Sequence, residues 1–288
     1  HMRRLDFLRM SGLLGMGGLF SSFSSSNSKA HPEELDAEMQ QKIKDAGLNG
    51  SVFHLKAAPI PKVRIALFGL GNRGQSLIEM LNWLVEQGHA EITAISDVNP
   101  KKIETAKEKI KTFQSSTPVA YTGNENAWED AMSPDVADLA LICTPWELHT
   151  KMALKAMESG LHAASEVPIA YTPEDSIALV KTAEATQRHC IMLENCCYNR
   201  EELWLLNMIE EGVFGTVTHA ECAYLHDLRQ LMIDPTYYED RWRLKHHLHR
   251  NGNLYTTHGL GPVCMYFDIL RGDTLTHLTS MSSKEAAL

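Results

Sequence analysis

The sequence predicts an α/β protein, in which an N-terminal doubly wound parallel sheet is followed by a C-terminal α/β domain with an open sheet that this chain leaves incomplete. Three observations carry that prediction. Short apolar, β-branched runs alternate with helical patterns between about residues 62 and 195. A glycine-rich turn directly follows the first of those runs. Beyond residue 195 the alternation gives way to a polar, aromatic and histidine-rich stretch. With 288 residues there is length for two domains, placed by these breaks at 62–195 and 196–288, behind a leader at 1–30 and a lead-in at 31–61.

Each element has a local reason. Ala57-Ala58-Pro59-Ile60-Pro61 holds the lead-in extended, because a proline disfavours helical backbone in the residue before it. Val63-Arg64-Ile65-Ala66-Leu67-Phe68 has the composition of a strand buried on both faces, and a helix is expected over 75–87. A second strand at 91–96 ends at Asp97, and the Lys- and Glu-rich 101–112 has helical spacing. Strands are expected at 119–121, 138–144, 162–165 and 190–194, with helices at 149–159, stopped by Gly160, and at 173–187, opened by Pro173. In the second domain the pattern predicts helices at 199–211 and 257–270, strands at 217–225 and 275–280, and a long polar, aromatic and histidine-rich segment over 227–253. Two strands and two helices make a layer with little to close it, so part of that domain is expected outside this chain.

The turn Gly69-Leu70-Gly71-Asn72-Arg73-Gly74 follows a strand and opens a helix, the context in which such a motif binds a dinucleotide. Gly69 permits the tight turn, Gly71 lets backbone approach a pyrophosphate, and Gly74 allows close helix packing in a Rossmann unit. Asp97, at the end of the second strand, is placed to hydrogen-bond ribose hydroxyls and repel a 2′-phosphate. NAD is therefore the expected cofactor. Arg73 could instead pair with a phosphate, which leaves NADP as the alternative. Thr144, Pro145 and Glu166 stand at the ends of the fourth and fifth strands, the edge where ligands lie in open α/β sheets.

The formal net charge of -9 arises from 27 basic and 36 acidic residues, and the basic ones are scattered, which argues against nucleic acid as a partner. The six cysteines contain no Cys-x-x-Cys pair and are expected to be mostly reduced, packed thiols. Arg3-Arg4-Leu5-Asp6-Phe7-Leu8, the apolar stretch to Phe23 and Ser28-Lys29-Ala30 resemble a twin-arginine export signal with its cleavage site. Export to the periplasm as a folded protein is the expectation, with no stable membrane association once the signal is removed.

Longer stretches carry a family resemblance. The glycine turn, Thr144-Pro145 with His149, Glu166-Val167-Pro168 and Tyr198-Asn199-Arg200 together resemble the Gfo/Idh/MocA superfamily of NAD(P)-dependent sugar oxidoreductases. Its dehydrogenases carry a lysine where Val167 stands and an aspartate where Leu254 stands, and both departures turn the reading away from simple alcohol oxidation. Glu194-Asn195-Cys196-Cys197-Tyr198, Ala223-Tyr224-Leu225-His226-Asp227, Arg241-Trp242-Arg243 and Gly252-Asn253-Leu254-Tyr255-Thr256-Thr257-His258-Gly259-Leu260-Gly261-Pro262 resemble glycoside hydrolase family 109, which includes NAD-dependent α-N-acetylgalactosaminidases. That resemblance implies a hydride borrowed from C3 of an N-acetylhexosamine and later returned, with glycoside cleavage by elimination between. It also implies that His258 engages the C3 hydroxyl, that Tyr255 lies at the reacting carbons, and that a tyrosine, with Tyr198 as candidate, removes the C2 proton. Arg243 joins Tyr198, Tyr255 and His258 as a substrate residue. Trp146, His149 and Asn195 join Gly69, Leu70, Gly71, Asn72, Arg73, Gly74, Asp97, Thr144, Pro145 and Glu166 around the cofactor. Partners are then a small-molecule or glycan substrate and, through the open sheet face of the second domain, a further copy in a homo-oligomer.

Two rivals have their own support. A dehydrogenase that releases its reduced cofactor shares the first domain, and a non-catalytic sugar- or NAD-binding remnant would suit a shortened second domain. His246, His247, His249 and His258 invite a metal, but Arg243, Lys245 and Arg250 beside the first three disfavour a cation. No metal is expected. The basic aromatic stretch around Trp242 reads instead as a sugar-binding loop.

Overall fold

The computed structural model describes residues 45–48, 50–250, 252–269 and 273–281; the expected export signal lies outside them. Among the described residues, no helix is long and apolar enough to cross a membrane. Six parallel strands form one sheet: β1 (Val63–Phe68), β2 (Ala90–Ser96), β3 (Val119–Tyr121), β4 (Leu139–Ile142), β5 (His162–Ser165) and β6 (Cys190–Met192). Their spatial order, β3-β2-β1-β4-β5-β6, reverses direction between β1 and β4. That crevice is where a doubly wound sheet accepts a dinucleotide.

Helices α1 (Asn72–Glu86), α2 (Pro100–Ile110), α3 (Trp146–Glu158) and α4 (Pro173–Thr186) connect the strands. The alternation of β1 explains the layering. Ile65 and Leu67 face a core with Leu77, Ile78, Ile103 and Ile110, whereas Ala66 and Phe68 face one with Ile142, Met152, Ala156 and Met157. Both faces are thus buried, which is why the strands read as continuous apolar runs. Across the sheet, the Arg64 backbone N–H donates to Asp138 at 2.8 Å, and the guanidinium makes a 2.7 Å ion pair with the same carboxylate. Burial raises the Asp138 pKa, but these bonds from Arg64 outweigh it and hold the carboxyl below its usual value. The fork ties β1 to the start of β4.

Helix starts come earlier than the apolar spacing predicts. Helix α1 begins at Asn72, inside the glycine motif, and α3 at Trp146, because Pro145 supplies an extended N-cap at φ −56° and ψ 150°. Thr172 caps α4 by accepting a hydrogen bond from the Asp175 N–H.

After β6 the chain runs through a 3-10 turn at Asn195–Tyr198 into α5 (Arg200–Glu210). Three further helices follow: α6 (Arg229–Ile233), α7 (Trp242–His249) and α8 (Thr257–Tyr266). The segments at 217–225 and 275–280 have strand-like alternation but enter no ladder among the described residues. Alternation specifies a strand only where a partner edge supplies hydrogen bonds, and none pairs with them there. The polar, histidine-rich segment at 227–253 contains α6 and α7, and the basic aromatic stretch around Trp242, expected as a loop, is helical, since Trp242 and His246, one helical turn apart, both pack on the Trp146 ring.

Candidate active site at the strand ends

The glycine turn is built for close approach. Gly69 has φ +85°, and a Cβ there would stand 2.6 Å from the Cys143 carbonyl oxygen, so β1 and β4 can meet at their C-terminal ends only through glycine. A Cβ on Gly74 would lie 2.0 Å from the Gly69 oxygen. Gly71 differs: the first atom its Cβ would meet is the Lys102 amine, 3.9 Å away. That open cradle faces the start of α1, where no side chain caps the helix N–H groups, an arrangement that fits a pyrophosphate.

The Asp97 carboxylate closes the far side. Its oxygens accept from the Leu70 N–H at 2.7 Å and the Asn99 N–H at 2.8 Å, while the Leu70 side chain is buried in the core. A strap from the C-terminal half crosses this end. Lys102 pairs with Glu239 at 2.7 Å, Asn99 donates to Glu239 at 3.2 Å, and the Asn72 amide donates to the Tyr237 carbonyl at 3.4 Å. Asp240 and Arg241 turn the strap with φ of 55° and 50°, unusual for residues with side chains.

At the other end, Arg73 reaches away from the cradle to pair with Glu166 at 2.6 Å. It therefore spans from the glycine turn to the end of β5. His149 is buried, with Nδ1 2.8 Å from the Pro168 oxygen and Nε2 2.7 Å from the Thr144 oxygen. It links the two strand-end turns, and burial lowers its pKa despite those carbonyls. Val167, between Glu166 and Pro168, is 2% exposed.

Trp146, first residue of α3, joins this edge to the C-terminal half. The Tyr255 ring stacks on it at 5.7 Å with 17° between planes. His258 meets Tyr255 edge-on at 4.6 Å, and Tyr224 lies 4.9 Å from His258 and 5.3 Å from Tyr255. The Arg243 guanidinium sits over the rings of Tyr255 (4.7 Å), Trp146 (5.2 Å) and Tyr238 (5.4 Å). It donates to the Tyr238 hydroxyl at 2.9 Å, and its Nε is buried with no partner among the described residues. A cation among ring faces with a spare donor is suited to an oxygen-rich ligand. Burial raises the phenol pKa of both Tyr255 and Tyr224, although Arg243 pulls each the other way.

The expected residues Tyr255, His258, Arg243 and Trp146 thus come together. Tyr198 and Asn195 lie on the 3-10 turn after β6, where both are exposed. Two residues escaped sequence reasoning. Tyr224 stands in a segment read as a strand, and its place among the rings follows only from the tertiary fold. Glu194, buried at 4% exposure, lies 2.5 Å from His258 Nδ1. The signal for Glu194 was Gly261, within α8: a Cβ there would stand 2.8 Å from the Cys197 sulfur and 3.0 Å from Glu194 Cγ. Pro262 follows it, and having no N–H it cannot bond the His258 carbonyl as a helix would.

The histidine-rich set does not gather. His246 stands 3.3 Å from Glu147, and among the described residues the donors close enough to share an ion are Glu194, Cys196 and His258, within 4.8 Å of one another. All six cysteines are free, and burial pushes the Cys190 and Cys197 thiols up to about 11, as packed thiols require.

Comparison with known proteins bears on both halves. Residues 63–194 match the oxidoreductase family described as NAD-binding Rossmann fold, and residues 198–288 match the glycosyl hydrolase 109 C-terminal domain. The chain is 40% identical over 282 residues to a glycosyl hydrolase family 109 protein of Shewanella pealeana, covering 98% of this chain and 59% of that one. To a family 109 protein of Shewanella baltica it is 46% identical over 233 residues, covering 81% and 50%. The chain thus spans about 59% of the length of relatives that it matches end to end. Among solved structures it is similar to the WlbA dehydrogenase from Bordetella pertussis in complex with NADH and UDP-GlcNAcA, at 24% identity and a TM-score of 0.48, covering 63% of this chain and 51% of that chain.

Proposed function

Because the chain belongs to glycosyl hydrolase family 109 and carries the NAD-binding domain of the Gfo/Idh/MocA oxidoreductases, we propose that it cleaves N-acetylgalactosaminides or related hexosaminides with net retention. The observation that carries this reading is the stack of Tyr255 on Trp146, which sets His258 and Arg243 at the strand ends beside the cofactor cradle. NAD is the cofactor, and when bound it supplies a reversible hydride acceptor for C3 of the sugar, so that none is consumed in a turnover.

The remaining steps fall to side chains. His258 accepts the proton of the C3 hydroxyl as the ketone forms. That ketone acidifies the C2 proton, and a tyrosine removes it. Tyr198, exposed on the turn after β6, is the candidate for that base, and burial raises the pKa of Tyr224 and Tyr255, which works against their ionisation. The aglycone leaves C1 with the C1–O electrons as the C1–C2 double bond forms, water adds at C1, and C2 takes a proton back. Arg243 and the rings around it hold the sugar. Val167 supports a hydride that is returned: where the related dehydrogenases place a lysine on the substrate hydroxyl, this chain buries a valine.

The test is an aryl N-acetylgalactosaminide of each anomer, incubated with the purified chain loaded with NAD. Release of the aryl alcohol without a rise in reduced cofactor is expected. Reduced cofactor accumulating beside free sugar would give the reaction to the dehydrogenase, and neither signal would leave a binding protein. Export to the periplasm belongs to the same proposal, tested by the location of a fusion carrying residues 1–61.

Retaining the cofactor through each turnover suits the strap. Glu239→Gln removes an exposed ion pair worth about 0.2–1 kcal/mol, so the NAD dissociation constant should rise by less than roughly fivefold. Fluorescence titration with NADH checks it. A decrease in the constant would remove the strap from cofactor retention.

A further inference from the structure

We infer that Glu194 is a positioning residue for His258, holding its imidazole with the proton on Nδ1 so that Nε2 is the atom that accepts the substrate proton. The inference rests on the glycosidase reading for its chemistry, but the geometry stands apart from it. Glu194 Oε1 lies 2.5 Å from His258 Nδ1, both side chains are nearly sealed from solvent (5% and 9% exposed), and the same oxygen accepts the Cys196 N–H at 3.0 Å. A carboxylate can only accept, so the imidazole must donate from Nδ1. Nε2 has no hydrogen bond among the described residues, and the Tyr255 and Tyr224 rings pack against the imidazole.

The fold sustains this contact against a cost. Glu194 Oε2 is buried without a partner among the described residues. An unsatisfied buried polar atom costs about 1–3 kcal/mol, more when charged. Such an atom in a native protein calls for a reason, and the imidazole beside it supplies one. Gly261 makes the approach possible, since any larger residue there would press on Glu194 and Cys197. A buried carboxylate behind an imidazole fixes the tautomer and stabilises the imidazolium that forms when the ring takes a proton, as in the serine-protease triad. Here the proton would leave the C3 hydroxyl for Nε2 while the hydride leaves C3 for NAD, the group reduced as the alcohol is oxidised. Oxidation of the alcohol to the ketone is thereby balanced in electrons and protons.

The test begins with the unaltered, NAD-loaded protein and needs no turnover. Nitrogen-15 NMR of the histidines, with His258→Gln to assign the resonance, should show neutral His258 protonated at Nδ1 and bare at Nε2. Glu194→Leu should let the two nitrogens share the proton and lower kcat about 10²- to 10⁴-fold with KM little changed, the range for a general base losing its orientation. Glu194→Gln keeps an acceptor without the charge and should fall between. The inference is overturned if His258 carries its proton on Nε2, or if Glu194→Leu shifts the tautomer and leaves kcat within a factor of about two. It is equally overturned if stoichiometric zinc or manganese accompanies the protein and is lost in Cys196→Ser, because a cation between Glu194, Cys196 and His258 would take Nδ1. If the unaltered protein releases no aglycone yet shows the Nδ1 tautomer, the glycosidase reading fails and the role of Glu194 on the ring stands.

Discussion

Replacing His258 by glutamine should lower aglycone release by about 10²- to 10⁴-fold while NAD stays bound, the range expected when a positioned general base is lost. Both halves of that expectation follow from where the residue sits. His258 packs on Tyr255 and Tyr224 and hydrogen-bonds Glu194, in the cluster that Tyr255 joins to Trp146. The cradle formed by Gly69, Gly71 and Asp97 does not use it. Glutamine keeps a polar side chain that can donate to Glu194, so the buried carboxylate retains a partner and the loss is chemical. Initial rates with an aryl N-acetylgalactosaminide, beside an NADH titration, separate the two. Loss of cofactor affinity equal to the loss of rate would mean that His258 serves the cradle. Retained activity would move the hydroxyl-proton step to another group, with Tyr224 next in line by position.

The parts of this molecule that were legible in the sequence are those whose physical demands are local. Gly69 and Gly74 declare themselves because a tight turn and a close helix leave no room for a Cβ, Gly71 declares itself through its place between them in the motif, and the strands beside them announce burial on both faces through unbroken apolar runs. Tyr255, His258 and Arg243 were reached through resemblance. The chain places Tyr255 and Arg243 by packing on Trp146, about a hundred residues earlier, and His258 by packing on Tyr255, which no local pattern records. Glu194 is the sharper case. Its partner is 64 positions away, and the glycine that admits it lies in a helix where glycine ordinarily costs stability. A glycine kept at such a cost, one turn after a histidine, was the available signal. The 217–225 and 275–280 segments failed in the opposite direction: their alternation satisfies the strand rule, yet no edge among the described residues pairs with them.

Gly74→Ala tests the cradle more severely than any change to a polar residue there. The added carbon would stand 2.0 Å from the Gly69 carbonyl oxygen, a backbone atom that cannot turn aside as a side chain could. Gly69 itself has little freedom, because it holds φ +85° against the Cys143 carbonyl at the end of β4. Either α1 moves away from β1 or the turn opens, and both pull the first-turn N–H groups off the position of a pyrophosphate. Overpacking of this kind costs about 1–3 kcal/mol, occasionally more. In a domain of this size that corresponds to a Tm lower by roughly 2–4 °C per kcal/mol. The NAD dissociation constant should rise on the order of 10²-fold, as when a ligand's contacts are displaced by about an ångström. Gly88→Ala is the control: its φ of +77° makes alanine strained there too, but nothing lies within 4 Å of the new carbon. It should lower Tm through backbone strain of about 1–2 kcal/mol and leave NAD affinity alone. Equal affinity in the two variants would mean that the turn does not seat the cofactor, whereas loss confined to Gly74→Ala assigns the pyrophosphate to the cradle between Gly71 and the start of α1.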